Sequence, residues 1–167
     1  MGKKSGEVLK LYFLIVLIVF LLDVSTKKLA EKFFTFPYDP LPFLKLYLIH
    51  NKGVAFGFFS DIPDTIRIPI LVVIPVVALF ITLFYTLQEG SKFTALCMGL
   101  IAGGALGNLY DRIFLGQVRD FIHLHIGNYY WPAFNIADAS ITVGITLLIL
   151  KNFLGKYSLK GFVNRTR

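Results

Sequence analysis

The chain has 167 residues, 56% hydrophobic and 16% charged, with a formal net charge of +7 and a mean hydropathy of +0.69. A soluble domain carries about a quarter charged residues, so the composition argues against a disordered chain, a coiled coil, a collagen-like repeat and an ordinary water-soluble enzyme. The basic residues flank apolar runs and gather at the two ends rather than interleaving with aromatics, so membrane lipid, and not nucleic acid, is the anionic partner expected.

A membrane crossing takes roughly 20 apolar helical residues, and the sequence offers four. The first span, about 8–30, follows Lys3 and Lys4 and contains Lys10, whose stem can snorkel to the headgroups. The residues after its apolar run, Asp23-Val24-Ser25-Thr26-Lys27-Lys28, contain no small-x-small cleavage site, so it reads as a retained helix. A loop of about 33–65 follows. Within it Phe43 to His50 is β-prone, Asn51-Lys52-Gly53 supplies turn chemistry and Val54 to Phe59 resumes an extended pattern, which predicts a small sheet on the outer face.

The second span, about 66–87, holds Pro69 and Pro75, tolerated in membranes as kinks. The third, about 92–110, is rich in glycine and alanine (Gly99, Ala102, Gly103, Gly104, Ala105, Gly107), the composition of a helix packed closely at the centre of a bundle. Cys97 within it has no second thiol and reads as a small buried residue. The fourth, about 136–154, precedes a basic tail. The whole reads as one integral membrane domain, 1–167: a mainly α, four-helix bundle with an extramembrane sheet acting as a cradle.

Four crossings put both termini on one side. The split of Lys and Arg, nine on that side against eight on the other, hardly sets orientation, while the terminal clusters favour a cytoplasmic side. The acidic residues are far less balanced. Of ten, only Glu7 and Glu89 accompany the termini, so the chemistry belongs to the opposite face.

Ionisable groups beside membrane spans are expensive and are functional candidates by default. Asp120 and Asp138 are each expected at the outer end of a helix, the third and the fourth. Two carboxylates converging on one site cannot both ionise cheaply, which leaves one acid and one base near neutral pH. Such a pair activates water against an amide with no metal and no covalent intermediate. Asp111, beside Arg112, reads as a permanently charged structural partner. Helix capping or an interfacial salt bridge is the plain alternative for these aspartates and fits Asp138 poorly, since two apolar residues precede it and a span follows. Asp23 and Lys27, at i, i+4, suit a salt bridge on one helix face. His123-Leu124-His125 lacks a third metal ligand, and Ser25-Thr26-Lys27-Lys28 matches only the seed of a Ser-Lys hydrolase. A scaffold or small transporter with intramembrane carboxylates is the competing class, and it would carry its charges near the midplane.

Four blocks in order carry a family resemblance: Asp23-x-x-x-Lys27; Asn51-Lys52-Gly53-Val54-Ala55-Phe56-Gly57; Gly103 to Arg112 running on to Val118-Arg119-Asp120-Phe121; and Phe134-Asn135-Ile136-Ala137-Asp138. The chain resembles the bacterial lipoprotein signal peptidases, type II signal peptidases of the inner (cytoplasmic) membrane. The resemblance implies an aspartic endopeptidase with Asp120 and Asp138 as its dyad. It further implies that Asn51, Asn108, Arg112 and Asn135 line the substrate site, with Asp23, Lys27, Gly53 and Asp111 in support. The implied substrate is a diacylglyceryl-modified prolipoprotein, cut on the N-terminal side of its lipidated cysteine. No cofactor or metal is implied, and a monomer suffices for the chemistry. Phe56, Phe58, Phe59 and Phe134 are expected to cover the site.

Overall fold

The computed structural model describes residues 3–53 and 62–163. The expected extended run at Val54–Phe59, with Phe56, Phe58 and Phe59, lies outside them, as do Arg165 and Arg167 of the basic tail. Eight elements follow in order: α1 (Lys3–Phe33), β1 (Tyr38–Leu41), β2 (Leu44–Asn51), α2 (Asp64–Glu89), α3 (Lys92–Leu115), β3 (Val118–Ile126), β4 (Tyr129–Tyr130) and α4 (Ile136–Val163). All four helices are long and apolar enough to cross a membrane. Their outward faces bear large apolar side chains such as Leu17, Ile74, Phe80, Phe84 and Ile149, exposed in the isolated chain as a lipid solvent requires.

Helix α3 is the hub, packing on α1, α2 and α4. Its small residues divide between two faces. Gly99, Gly103 and Gly107, one helical turn apart, abut α1. A Cβ at Gly99 would lie 2.8 Å from Ile15 Cβ, one at Gly103 2.6 Å from Val19 Cβ, and one at Gly107 would strike the Asp23 carboxylate. Gly104 meets the Ala137 carbonyl of α4, and Gly144 of α4 in turn would put a Cβ 2.7 Å from the Cys97 carbonyl. Such close approach gives the backbone contacts that hold helices together where lipid removes the hydrophobic force between them. Cys97 is fully buried at this seam, as the sequence suggested. Farther from the sheet, the Tyr12 hydroxyl and Thr82 Oγ1, 2.9 Å apart, link α1 to α2.

The four strands form one antiparallel sheet in the order β1-β2-β3-β4. Strand β2 is the one expected at Phe43 to His50. Strand β3 corrects the sequence reading. Helix α3 continues to Leu115 rather than ending at Tyr110 and is closed by Gly116, whose φ of 69° turns the chain sharply into β3. Asp120 therefore sits on a strand and not at a helix end. The first four residues of β3 are buried on both faces, which erases the alternation by which a strand is normally read.

Candidate active site

The site forms where β2, β3, α3 and the start of α4 meet. The pairing of β2 with β3 sets Asn51 opposite Val118 and Ile49 opposite Asp120. Asn51 Nδ2 donates to Asp120 Oδ2 at 3.0 Å, while Asn51 Oδ1 accepts from the Gly53 backbone N–H at 2.9 Å. Gly53 thus supports Asn51 through the backbone, and the turn expected there orients a side chain toward a carboxylate.

Asn135 stands immediately before α4 and bridges the two aspartates. Its Nδ2 donates to Asp120 Oδ1 at 2.7 Å, and its backbone N–H donates to Asp138 Oδ2 at 3.2 Å. Asn135 Oδ1 accepts in return from the Asp138 backbone N–H at 3.0 Å. This reciprocal pair is a capping box, so Asp138 does cap its helix, contrary to the sequence reading. The same carboxylate also faces the cavity. Asn108 Nδ2 donates to Asp138 Oδ1 at 2.7 Å, and Asn108 Oδ1 accepts from Asn135 Nδ2 at 3.1 Å and from Lys27 Nζ at 2.9 Å. Every oxygen of both carboxylates therefore meets an amide donor.

Asp120 is 2% exposed. Burial is the main force raising its pKa from the ordinary 3.8 to about 6, with the nearby charge of Asp138 adding to it. The Asn51 and Asn135 donors and the Lys27 ammonium oppose that rise.

Behind the dyad lies a second polar cluster. Lys27 Nζ is 2.7 Å from Asp23 Oδ2 and 3.3 Å from Asp111 Oδ2, all three side chains fully buried. Asp23 Oδ1 also accepts the Ala137 backbone N–H at 2.9 Å, fastening α1 to α4. The i, i+4 pair expected at a helix surface is thus an internal strut, and Lys27 connects it to the site through Asn108. Asp111 has Arg119 and Lys27 as partners rather than the adjacent Arg112. Arg119, which the sequence reading did not single out, and Glu31 complete the cluster.

An apolar cleft of about 880 Å³ opens beside the dyad. Its floor is α3 (Ile101, Ala105, Asn108, Arg112), and its sides include Ile74, Pro75 and Ala78 of α2 and Ile141, Thr142 and Ile145 of α4. Arg112 Nε is buried with no hydrogen-bond partner among the described residues, and the guanidinium feels Asp138 and Asp120. Phe134 lines the cleft as expected of a covering residue, together with Trp131. Ser25 and Lys28 are exposed on α1. His123 Nε2 lies 2.7 Å from the Tyr47 carbonyl and His125 stacks on Tyr130, 4.8 Å between centroids. No group of three metal-ligating side chains occurs among the described residues.

Residues 15–154 match the family model described as signal peptidase (SPase) II. The chain belongs to the signal peptidase II family. It is similar to the lipoprotein signal peptidase of Aquifex aeolicus (strain VF5), at 64% identity over 157 residues covering 94% of each chain. That of Sulfurihydrogenibium sp. (strain YO3AOP1) is 45% identical, over 89% of this chain and 92% of the relative. Two solved structures described as a bacterial membrane enzyme superpose with TM-scores of 0.77 and 0.73. The first is 29% identical and covers 87% of this chain and 88% of its own, and the second is 30% identical and covers 84% and 90%. Family and spans together make this a multi-pass bacterial membrane protease, and its four-helix bundle with a small sheet is a fold it shares with those membrane enzymes.

Proposed function

We propose that the chain is an aspartic endopeptidase that removes the signal peptide from diacylglyceryl-modified prolipoproteins, cutting N-terminal to the lipidated cysteine with Asp120 and Asp138 as its dyad. The observation that carries the reading is the pair of carboxylates, joined through Asn135, at the end of a cleft that is apolar along its length. The family membership and the names of its relatives supply the substrate class.

In this reading the ionised member of the dyad removes a proton from a water poised between the carboxylates, and the hydroxide attacks the scissile carbonyl carbon. The protonated member gives its proton to the carbonyl oxygen, and proton return to the amide nitrogen expels the new N-terminus. The raised pKa of Asp120, about 6, suits it to hold a proton up to about that pH and so to serve as the acid of the pair. Asn51 and the free donor of Arg112 hold the peptide backbone. Asn108 and Asn135 fix the carboxylates, so little reorganisation accompanies the reaction.

The cleft between α2 and α4 admits the acyl chains and the signal helix sideways from the bilayer, so the scissile bond meets the dyad without leaving the membrane surface. Both termini are cytoplasmic and the site is at the outer face, in keeping with the basic tail. The test is incubation of the purified protein with a diacylglyceryl-modified prolipoprotein, comparing wild type with Asp120→Asn, Asp138→Asn and Ser25→Ala. Wild type and Ser25→Ala should cleave and both Asn variants should not. Full cleavage by either Asn variant would sink the dyad.

A further inference from the structure

Between α3 and the dyad, Arg119 is gripped at every polar point. Its backbone N–H donates to Asp111 Oδ2 at 3.0 Å, its Nε donates to the same oxygen at 3.2 Å, and its Nη2 donates to Asp111 Oδ1 at 2.6 Å. One carboxylate thus takes three donors from a single residue eight positions later, closing the turn from α3 into β3 like a clasp. The remaining nitrogen, Nη1, reaches Glu31 of α1 at 3.0 Å. The Arg119 carbonyl accepts from Asn135 Nδ2 at 3.3 Å, the amide that also holds Asp120. The residue is only 3% exposed. The backbone leading into Asp120 is therefore held from the α3 side by Asp111 and from the α4 side by Asn135.

We propose that Arg119 is a positioning residue for the dyad: by closing the Asp111 clasp it sets the place on β3 from which Asp120 reaches Asn51, Asn135 and the reacting water. The inference rests on the aspartic endopeptidase reading above.

Two features distinguish this from a salt bridge that only adds stability. The fork geometry is a guanidinium property, since a lysine ammonium cannot take both oxygens of Asp111 in one plane. The clasp also neutralises Asp111. Without it, Lys27 alone would face Asp23 and Asp111, and its ammonium would be drawn from Asn108 Oδ1, the contact that orients the Asn108 amide toward Asp138. Loss of Arg119 thus disturbs Asp120 through the backbone and Asp138 through Lys27 and Asn108.

The experiment measures kcat and KM separately for wild type, Arg119→Lys, Arg119→Met, Asp111→Asn and the Asp111→Asn/Arg119→Met double variant, with a diacylglyceryl-modified lipoprotein-signal peptide, each protein checked for cooperative thermal unfolding. Misplacement by about 1 Å costs on the order of 100-fold in rate, so kcat should fall roughly that far in Arg119→Met and substantially in Arg119→Lys, with KM little changed. The double variant should lose no more than the worse single variant, because both break one clasp. Folded variants with wild-type kcat, or fully additive losses, would overturn the proposal. Should Arg119→Met fail to fold, the charge-retaining Arg119→Lys decides: wild-type kcat refutes, a kcat loss at constant KM supports. Absence of cleavage by wild type would instead count against the activity itself.

Discussion

Replacing Asp120 with asparagine should abolish cleavage and remove a pH-dependent cost to stability. Burial, the chief cause, lifts the Asp120 pKa from 3.8 to about 6. In the unfolded chain the carboxyl ionises near 3.8; in the folded protein it holds its proton to about 6. Below 3.8 both states are protonated and there is no cost. As pH rises from 3.8 to 6 the folded state alone resists ionisation, and above 6 the accumulated cost is constant at about 3 kcal/mol, from 1.36 kcal/mol per tenfold change in acidity. Asparagine never ionises, but its NH2 takes the place of one acceptor oxygen and faces the Asn51 or Asn135 donor, a cost that does not vary with pH. The stability of Asp120→Asn relative to wild type should therefore rise by about 3 kcal/mol between acid pH and pH 8. That corresponds to about 6–12 °C in the unfolding midpoint for a chain of this size. Thermal unfolding followed by tryptophan fluorescence or circular dichroism from pH 4 to 8, in one detergent and at one scan rate, checks it. A stability difference that is constant with pH, or one that favours wild type increasingly from pH 4 to 8, would refute a pH-dependent cost of burying this carboxyl.

Turnover should itself carry a titration near pH 6, declining above it as Asp120 loses its proton. Asn51→Ala, which removes a donor that holds the Asp120 pKa down, should move that midpoint upward in a pH profile of kcat. Gly107→Ala should cost about 1–3 kcal/mol by overpacking and also lower the turnover of the folded fraction, since the new Cβ displaces the Asp23 carboxylate and with it Lys27. Gly99→Ala, whose nearest neighbours are Ile15 and the Tyr12 carbonyl, far from the two aspartates in sequence and on the α1 side, should lower stability alone; parallel unfolding and activity assays separate the two. Tyr12→Phe breaks the Tyr12–Thr82 hydrogen bond between α1 and α2 and should cost about 0.6 kcal/mol with cleavage unchanged.

The bundle was legible because hydrocarbon imposes a length and a composition on each crossing, and the glycines of α3 marked the central helix for the same reason. The two aspartates were legible as expensive residues beside apolar runs, and the asparagines through the resemblance: Asp120, Asp138, Asn108 and Asn135 do converge. What stayed hidden was tertiary. The start of strand β3 lies between helix and site, with no solvent face, so Val118 to Phe121 carries no alternating pattern. Asp138 was read as a poor capping residue from the apolar residues before it, but the cap is set three residues earlier by Asn135 and is indifferent to Ile136 and Ala137. Arg119 is flanked by a valine and an aspartate, and nothing local reveals that its guanidinium is buried against Asp111 from the preceding helix. Neighbours in sequence suggested Arg112 for that partnership, whereas the geometry turns Arg112 to the cleft.

Asn135 hydrogen-bonds both aspartates, caps α4 and receives support from Asp138, so atoms proposed to fix the chemistry also hold the start of that helix. The consequence concerns escape. A compound that hydrogen-bonded the dyad and its asparagines would confront the chain with a narrow choice, because substitutions that weaken such a compound also fray a helix start or unseat a carboxylate. Tolerated resistance changes should fall instead on the apolar walls of the cleft, at positions such as Ile74, Ala78 or Ile145, where shape can vary without loss of a polar partner.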